Sequence, residues 1–231
     1  MKHGYKRNKV AVVVPALNEA ETIERVVSKL VNFGEVIVVN DGSVDRTSEI
    51  AEGAGAFVIN HGTRLGYNEA IWTGLVYSVR RGYKWAITID ADNQFAPSLI
   101  EMFAKKLSRD VDLVVGIRPY KQRISEHVFG FFGSLLWSVP DPLCGVKGYN
   151  LDILRSKVFG MRRFSFDSIG VEPLVRMIKL RVTVVNVSVT MSKRIDKPRF
   201  GSGVVPNCKI IVALIYCLFL YWFVPMKKRD L

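Results

Sequence analysis

The chain has 231 residues, is 49% apolar and 23% charged, and carries a formal net charge of +12. It is long enough to bury one substantial core, and its three cysteines (Cys144, Cys208, Cys217) supply neither a disulfide framework nor a cysteine metal site. The basic charge comes without aromatic-basic, zinc-finger or recognition-helix spacing, so no nucleic-acid partner is expected; anionic substrates and an anionic membrane surface account for it instead.

Residues Met1 to Lys9 are short, basic and polar, unlike a signal peptide. Lys9 to Val14 is a near-continuous apolar run of the kind a strand covered on both faces shows. It stops at Pro15-Ala16-Leu17-Asn18-Glu19. A helix follows, with Ile23, Val26, Val27, Leu30 and Val31 on one face. A second strand, Glu35 to Val39, ends in Asn40-Asp41-Gly42-Ser43-Val44-Asp45-Arg46-Thr47, a polar turn in which Ser43 or Asp45 is a candidate cap for the next helix. A third strand, Ala56 to Asn60, leads through a glycine-containing loop to a helix over Glu69 to Arg80. The fourth strand begins at Trp85 and delivers Asp90-Ala91-Asp92, whose i, i+2 spacing points both carboxylates the same way, with Gln94 adding a neutral oxygen. That oxygen set suits Mg²⁺ or Mn²⁺ with a diphosphate as the remaining ligand. Alternating strands and helices define an α/β protein with a mostly parallel sheet, and ligands of such sheets bind beyond the strands' carboxyl ends. All of these polar motifs lie at that end, so one crevice is expected to gather them.

Taken together and in this order, P-A-L-N-E, N-D-G-S-x-D-x-T and D-A-D-x-Q resemble the nucleotide-sugar half of the family-2 inverting glycosyltransferases, and within them the dolichyl-phosphate mannose and glucose synthases. The resemblance covers residues 9 to 203. It implies a GT-A (nucleotide-diphospho-sugar transferase) fold, helices on both faces of the sheet, and a catalytic domain over residues 1–203 followed by a membrane-associated segment with a basic tail over 204–231. It also implies that Pro15, Ala16, Asn18 and Glu19 line the nucleoside pocket and that Asp41 helps hold base or ribose. Asp90, Asp92 and Gln94 would then hold the metal. Relatives usually carry D-D-G-S where this chain has Asn40-Asp41, which leaves the base open.

The next strand, Val111 to Gly116, precedes Arg118, which by the same resemblance meets the acceptor phosphate; a guanidinium suits that task because it donates two parallel hydrogen bonds. Arg123 and Ser125 follow as further acceptor-phosphate candidates. The apolar stretch Val128 to Val139 reads either as a buried helix or, preferred here, as an amphipathic helix at the membrane interface. Asp141, in a segment similar to the family's D-P-x-x-G-F-R, is a candidate for positioning acceptor or sugar, or a turn cap. Glu172 stands in a helix expected over Ser168 to Leu180, facing the site or favouring that helix's first turn. Arg194, Lys197 and Arg199 belong to a basic loop that closes over the diphosphate in relatives; binding lipid headgroups is the alternative.

Ile210 to Val224 is wholly apolar and would make about 22 Å of helix, short of a ~30 Å hydrocarbon core. A short span, a tilted interfacial helix and an oligomerisation helix all fit; membrane association is favoured, with spanning preferred to lying flat. The chain holds neither a Glu-Asp dipeptide nor Q-x-x-R-W, with which processive relatives serve sugar hydroxyls. The expected activity is therefore transfer of one hexose, with inversion, from a nucleotide diphosphate sugar (GDP-mannose favoured, UDP-glucose or UDP-N-acetylglucosamine as alternatives) to dolichyl or another polyprenyl phosphate. The catalytic domain is expected on the cytoplasmic face. The competing readings are a same-fold enzyme acting on a polysaccharide or glycolipid hydroxyl, and a non-catalytic nucleotide-sugar-binding scaffold.

Overall fold

The structure, a computed structural model, describes residues 10–107, 110–158, 168–192 and 203–225. Seven strands form one sheet: β1 (Val10–Ala16), β2 (Glu35–Asn40), β3 (Phe57–Asn60), β4 (Trp85–Thr88), β5 (Leu113–Ile117), β6 (Lys147–Asn150) and β7 (Val184–Ser188). Their order is β3-β2-β1-β4-β6-β5-β7, and every pairing is parallel except those of β6, which runs against both β4 and β5. Alternate residues of β1 explain the apolar run at its start. Ala11 and Val13 enter one core, Val12 and Val14 the other, because successive side chains of a strand point to opposite faces.

The helices are α1 (Ile23–Leu30), α2 (Thr47–Gly53), α3 (Tyr67–Arg80), α4 (Ser98–Lys106), α5 (Ile124–Trp137), α6 (Leu151–Ile153, continuing as a π-helical turn over Leu154–Val158), α7 (Glu172–Lys179) and α8 (Val204–Phe223). Buried residues of α1 and α4 share one core, and those of α3, α5, α7 and α8 share the other. Helix α3 lies especially close to β1: a Cβ on Gly74 would come within 2.2 Å of Val13 Cγ1.

Two elements went unread in the sequence. Helix α4 fills the stretch between the carboxylate motif and the next strand, and β6 falls inside the segment that begins at Asp141, where Lys-Gly-Tyr-Asn shows no apolar alternation. The tail helix also begins earlier than its apolar run. Pro206 sits in the first turn, where its missing N–H costs no intrahelical bond, so α8 reaches 20 residues, about 30 Å. Among the described residues α8 is the one helix long and apolar enough to cross a membrane, with a mean hydropathy of 2.0.

It is also docked. Ile210, Ala213, Leu214, Cys217 and Leu220 are buried, and α8 packs on α5 and α7. Trp137 of α5 meets Tyr221 at 6.1 Å between ring centres, and Lys179 of α7 donates to the Leu220 and Val224 carbonyls at the helix's end. Burying Ile210, Leu214 and Leu220 contributes roughly 1.5–3 kcal/mol each. The outer face stays apolar: Val205, Val212, Ile215, Phe219 and Trp222 recur at helical spacing and are exposed. Helix α5 divides the same way. Phe129, Gly130, Gly133 and Trp137 are buried, while Ile124 (81% exposed), Phe131 (64%) and Leu135 (67%) face outward.

Candidate active site

The carboxyl ends of β1, β2 and β4 converge on a cleft of about 300 Å³. One wall, at the ends of β1 and β2, is built by two loops that lock together. Asn18, in the left-handed region (φ 53°), donates its N–H to Ser43 Oγ (2.8 Å) and accepts from Val44 N with its amide oxygen (2.9 Å). Glu19 N donates to Thr47 Oγ1 (2.7 Å), and Asp45 accepts from the N–H groups of Ala20 and Thr47. Burial pushes the Asp45 carboxyl up, but the hydrogen bonds from Thr47 and Ala20 outweigh it and hold the group below its usual range. The two motifs are therefore one interlocked unit. Pro15, Ala16, Glu19 and Asp41 face the cleft; Asn18 is spent on the lock and does not line it.

Asp41 is largely engaged by the protein. Oδ1 accepts from Leu65 N (2.8 Å) and faces His61 Nδ1 (2.8 Å), and Oδ2 accepts from Gly66 N (2.8 Å). This folds the loop that carries Arg64 over β2. Gly42 (φ 76°) permits the close approach, since a Cβ there would fall 2.8 Å from Arg64 N. Asn40, the departure from D-D-G-S, donates its amide to Asn60 Oδ1 (2.8 Å) across the ends of β2 and β3 and accepts from Ser43 N (3.1 Å). A carboxylate at position 40 could not make the first of these bonds.

Beyond β4, Asp90, Asp92 and Gln94 all line the cleft. Asp92 Oδ1 accepts from Gln94 N (3.1 Å), and the Gln94 carbonyl accepts from Ser192 N (2.8 Å). Asp90 is held more tightly. Tyr67 Oη donates to its Oδ1 (2.6 Å), and a Cβ on Gly145 would fall 2.0 Å from its Oδ2. Burial, then the Asp90 charge, hold the Tyr67 phenol well above its ordinary value, so it stays a donor. Lys147, buried beside them at the start of β6, donates to the Cys144 carbonyl (2.6 Å); burial lowers its pKa while Cys144, Asp90 and Asp141 oppose that shift. Gly145→Ala forces Asp90 to move. The expected overpacking cost is about 1–3 kcal/mol, a Tm loss of roughly 2–12 °C measurable by thermal unfolding. An unchanged Tm would mean the carboxylate is not confined.

Two carboxylates and one amide oxygen form a hard donor set that fits Mg²⁺ or Mn²⁺, provided a diphosphate or water completes the shell. No cluster of three or more His, Cys, Asp or Glu side chains able to hold a metal by itself occurs among the described residues.

The opposite wall carries Arg118, Gln122, Arg123 and Glu126. Arg118 clasps Asp141 with three bonds: N to Oδ2 (3.0 Å), Nε to Oδ2 (2.8 Å) and Nη2 to Oδ1 (2.9 Å). Burial works against the Arg118 charge, but Asp141 and then Glu126 overcome it and raise the pKa. Glu126, buried on α5, accepts from Arg123 Nη1 (2.8 Å) and lies 3.2 Å from Arg118 Nη2. Asp141 stands behind Arg118 and does not line the cleft. Ser125 does not line it either, since its hydroxyl donates to Asn207 Oδ1 (2.7 Å). Glu172 does not line it. It accepts from Asn68 Nδ2 (3.1 Å) and Arg176 Nε (2.8 Å) in a fully buried network. Arg194, Lys197 and Arg199 lie outside the described residues. Met191 and Ser192, just before them, pair with Phe95 and Gln94. The rest of the lining is apolar and includes Leu143, Ile169 and, from α8, Ile210.

Sequence reasoning had not found Tyr67, Glu126, Gly145 or Ile210. Tyr67 and Gly145 are defined by contacts with Asp90, 23 and 55 residues away, for which no local pattern exists, whereas Glu126 meets Arg118 across only 8.

A parallel sheet with an antiparallel strand set into it and two carboxylates beyond β4 define the class: a GT-A sugar transferase fold. The model of the glycosyl transferase family 2 matches residues 11–168, more than half of the chain, and the chain belongs to that family. An uncharacterised protein of Methanocaldococcus jannaschii is 28% identical over 225 residues, covering 90% of this chain and 92% of that one. An undecaprenyl-phosphate mannosyltransferase of Micrococcus luteus is 25% identical over 225 residues, covering 88% and 92%. Among solved structures, glucosyl-3-phosphoglycerate synthase of Mycobacterium tuberculosis in complex with Mn²⁺, UDP and glucosyl-3-phosphoglycerate superposes with a TM-score of 0.72 at 20% identity, covering 95% of this chain and 82% of that one.

Proposed function

We propose that the chain transfers a single hexose from a nucleotide diphosphate sugar to dolichyl or another polyprenyl phosphate, with inversion at the anomeric carbon, and that Mg²⁺ or Mn²⁺ is required. The observation that carries this reading is the composition of one cleft: a carboxylate end at Asp90 and Asp92, an arginine end at Arg118 and Arg123, and an apolar margin supplied partly by the tail helix through Ile210. A sugar diphosphate, a phosphate monoester and a hydrocarbon chain are the three chemistries these match.

In this reading Pro15, Ala16, Glu19 and Asp41 shape the nucleoside pocket. Asp90, Asp92 and Gln94 hold the metal ion, which when bound neutralises charge on the departing diphosphate. Arg118 and Arg123 orient the acceptor phosphate, with Asp141 holding Arg118 from behind. Arg194, Lys197 and Arg199, which lie outside the described residues, are assigned to the diphosphate by the family resemblance of their sequence alone. A phosphate oxygen forms the new bond to the anomeric carbon as the bond to the β-phosphate oxygen breaks, and the nucleoside diphosphate leaves with the electron pair. No proton has to be removed, since a phosphate monoester with a second pKa near ~6 is largely ionised at neutral pH.

A hydroxyl acceptor would need a carboxylate base in reach. Asp141 and Glu172 are buried, internally bonded and off the cleft wall, and Glu126, which does line the cleft, is engaged by Arg118 and Arg123. Mannose is favoured as the sugar by likeness to the Micrococcus luteus undecaprenyl-phosphate mannosyltransferase.

The apolar outer faces of α5 and α8, followed in sequence by Lys227, Lys228 and Arg229, suit a membrane surface on the cytoplasmic side, with α8 docked on the domain instead of crossing alone. A second copy of the chain is the other candidate for that face. Ile215→Glu is expected to weaken binding to anionic vesicles about 10–100-fold, from the loss of one buried aliphatic side chain, and to leave transfer in detergent intact. Unaltered vesicle flotation would count against the assignment of this face.

The test of the reaction is transfer of radiolabelled sugar into an organic-extractable lipid, offering GDP-mannose, UDP-glucose and UDP-N-acetylglucosamine separately with dolichyl phosphate and Mg²⁺ or Mn²⁺. Label in a mild-acid-labile lipid is the expected result. Metal-dependent nucleotide binding without label from any donor would point to a hydroxyl acceptor.

A further inference from the structure

The first turn of α5 carries cleft residues, yet its N-cap residue, Arg123, makes no side-chain cap. A helix start leaves several N–H groups without intrahelical partners, and something must meet them. Glu126 reaches back to Gln122 N (3.2 Å). The N–H of Ser125 is met from outside the helix. Asn207, in the first turn of α8 and 82 residues away, accepts with its Oδ1 from Ser125 N (3.2 Å) and from Ser125 Oγ (2.7 Å). Asn207 is itself oriented, because its Nδ2 donates to the Gly203 carbonyl (2.9 Å). Glu126, the residue after Ser125, touches both Arg123 and Arg118. One turn beyond Asn207, Ile210 enters the cleft lining.

We propose that Asn207 is a positioning residue for the acceptor-side arginines: it caps α5 from α8, and through the turn it fixes, it sets Arg123, Glu126 and Arg118 to receive the acceptor's phosphate monoester. The inference rests on the acceptor assignment made above and deepens it. The tail helix becomes part of the acceptor site as well as a surface for the membrane. Its loss should impair recognition of a lipid phosphate even in detergent, where no bilayer is present. The plainer role for the Ser125–Asn207 contact is to tie α8 to the domain. That role would disturb vesicle binding and leave acceptor recognition alone.

The experiment compares full-length wild type, Asn207→Leu and Asn207→Asp in detergent, varying polyprenyl phosphate at saturating donor and then the reverse. Leucine keeps asparagine's branching and removes the accepting oxygen; aspartate keeps that oxygen and gives up only the bond to the Gly203 carbonyl. Asn207→Leu is expected to raise the acceptor KM about 5–30-fold, equivalent to about 1–2 kcal/mol, with the donor KM within about twofold of wild type. Asn207→Asp should restore the acceptor KM to within about threefold, and the Ser125 amide should exchange faster in the leucine variant only. Equal changes in both KM values, an unchanged acceptor KM, or unchanged Ser125 protection would each overturn the proposal. If Asn207→Leu does not fold, Ser125→Ala carries the test, since it removes the 2.7 Å bond alone; a rise of about threefold in acceptor KM is expected and no rise refutes the role. A wild-type enzyme inert toward polyprenyl phosphate would refute the functional reading and the acceptor role together. An active wild type with an indistinguishable leucine variant would refute this proposal alone.

Discussion

Asp92→Asn is expected to lower kcat about 10²–10³-fold, the scale on which removal of one preorganised charge-stabilising group costs about 2.7–4 kcal/mol. Asparagine keeps the shape of the side chain and can still accept from Gln94 N, so the loop should survive. What disappears is the negative charge that, in the proposed function, draws a divalent cation against the diphosphate. Mn²⁺ affinity of the nucleotide complex should fall together with kcat, and a Tm within about 2 °C of wild type would separate this from unfolding. Activity within about threefold of wild type would remove Asp92 from the metal site. Asp90→Asn should cost less, because Asp90 already gives Oδ1 to Tyr67 and an amide oxygen can accept the same bond.

Arg118→Ala is expected to lose both stability and acceptor recognition, and the structure tells the two apart. Asp141 is 1% exposed and draws three hydrogen bonds from Arg118. Removing the side chain strands a buried carboxylate with only the backbone N–H of residue 118, a loss of about 3–5 kcal/mol, or roughly 6–20 °C in Tm. Adding Asp141→Asn removes the stranded charge and should recover most of that stability. It should not recover the acceptor KM, because Arg123 alone is left to face the phosphate. A double variant with wild-type acceptor KM would show that Arg118 only props up Asp141. Arg118→Lys would not be a mild change, since an ammonium cannot clasp Asp141 through two nitrogens in one plane.

The gathering of the three polar motifs at one cleft was legible because it follows from their local pattern. Each of the first, second and fourth strands is an apolar run ending in a polar motif, and parallel packing brings those ends together without further information. Arg118, Arg123, Asp141 and Ser125 were found as residues but not as an arrangement. Which of them faces the cleft depends on partners 23 and 82 residues away, Asp141 for Arg118 and Asn207 for Ser125. Asn18 illustrates the same limit: it stands in the right motif, and its hydrogen bonds to Ser43 and Val44 turn it from the pocket into a fastener. The tail was read as a hydrophobic stripe, and its docking on α5 and α7 follows only from the fold, since apolar residues look alike whether they meet protein or lipid.

Strand β6 joins β4 to β5, which do not touch each other within the sheet. Until it is in place, the sheet is two separate pieces with two open inner edges. On a ribosome β6 emerges about 60 residues after β4, a wait of roughly 3–12 s at 5–20 residues per second. Throughout that interval the hydrophobic strand that ends at Thr88 has an unpaired edge, which invites pairing with other chains. The four residues Lys147 to Asn150 are thus the keystone of assembly, and substitutions there should appear first as poor yield of soluble protein during synthesis.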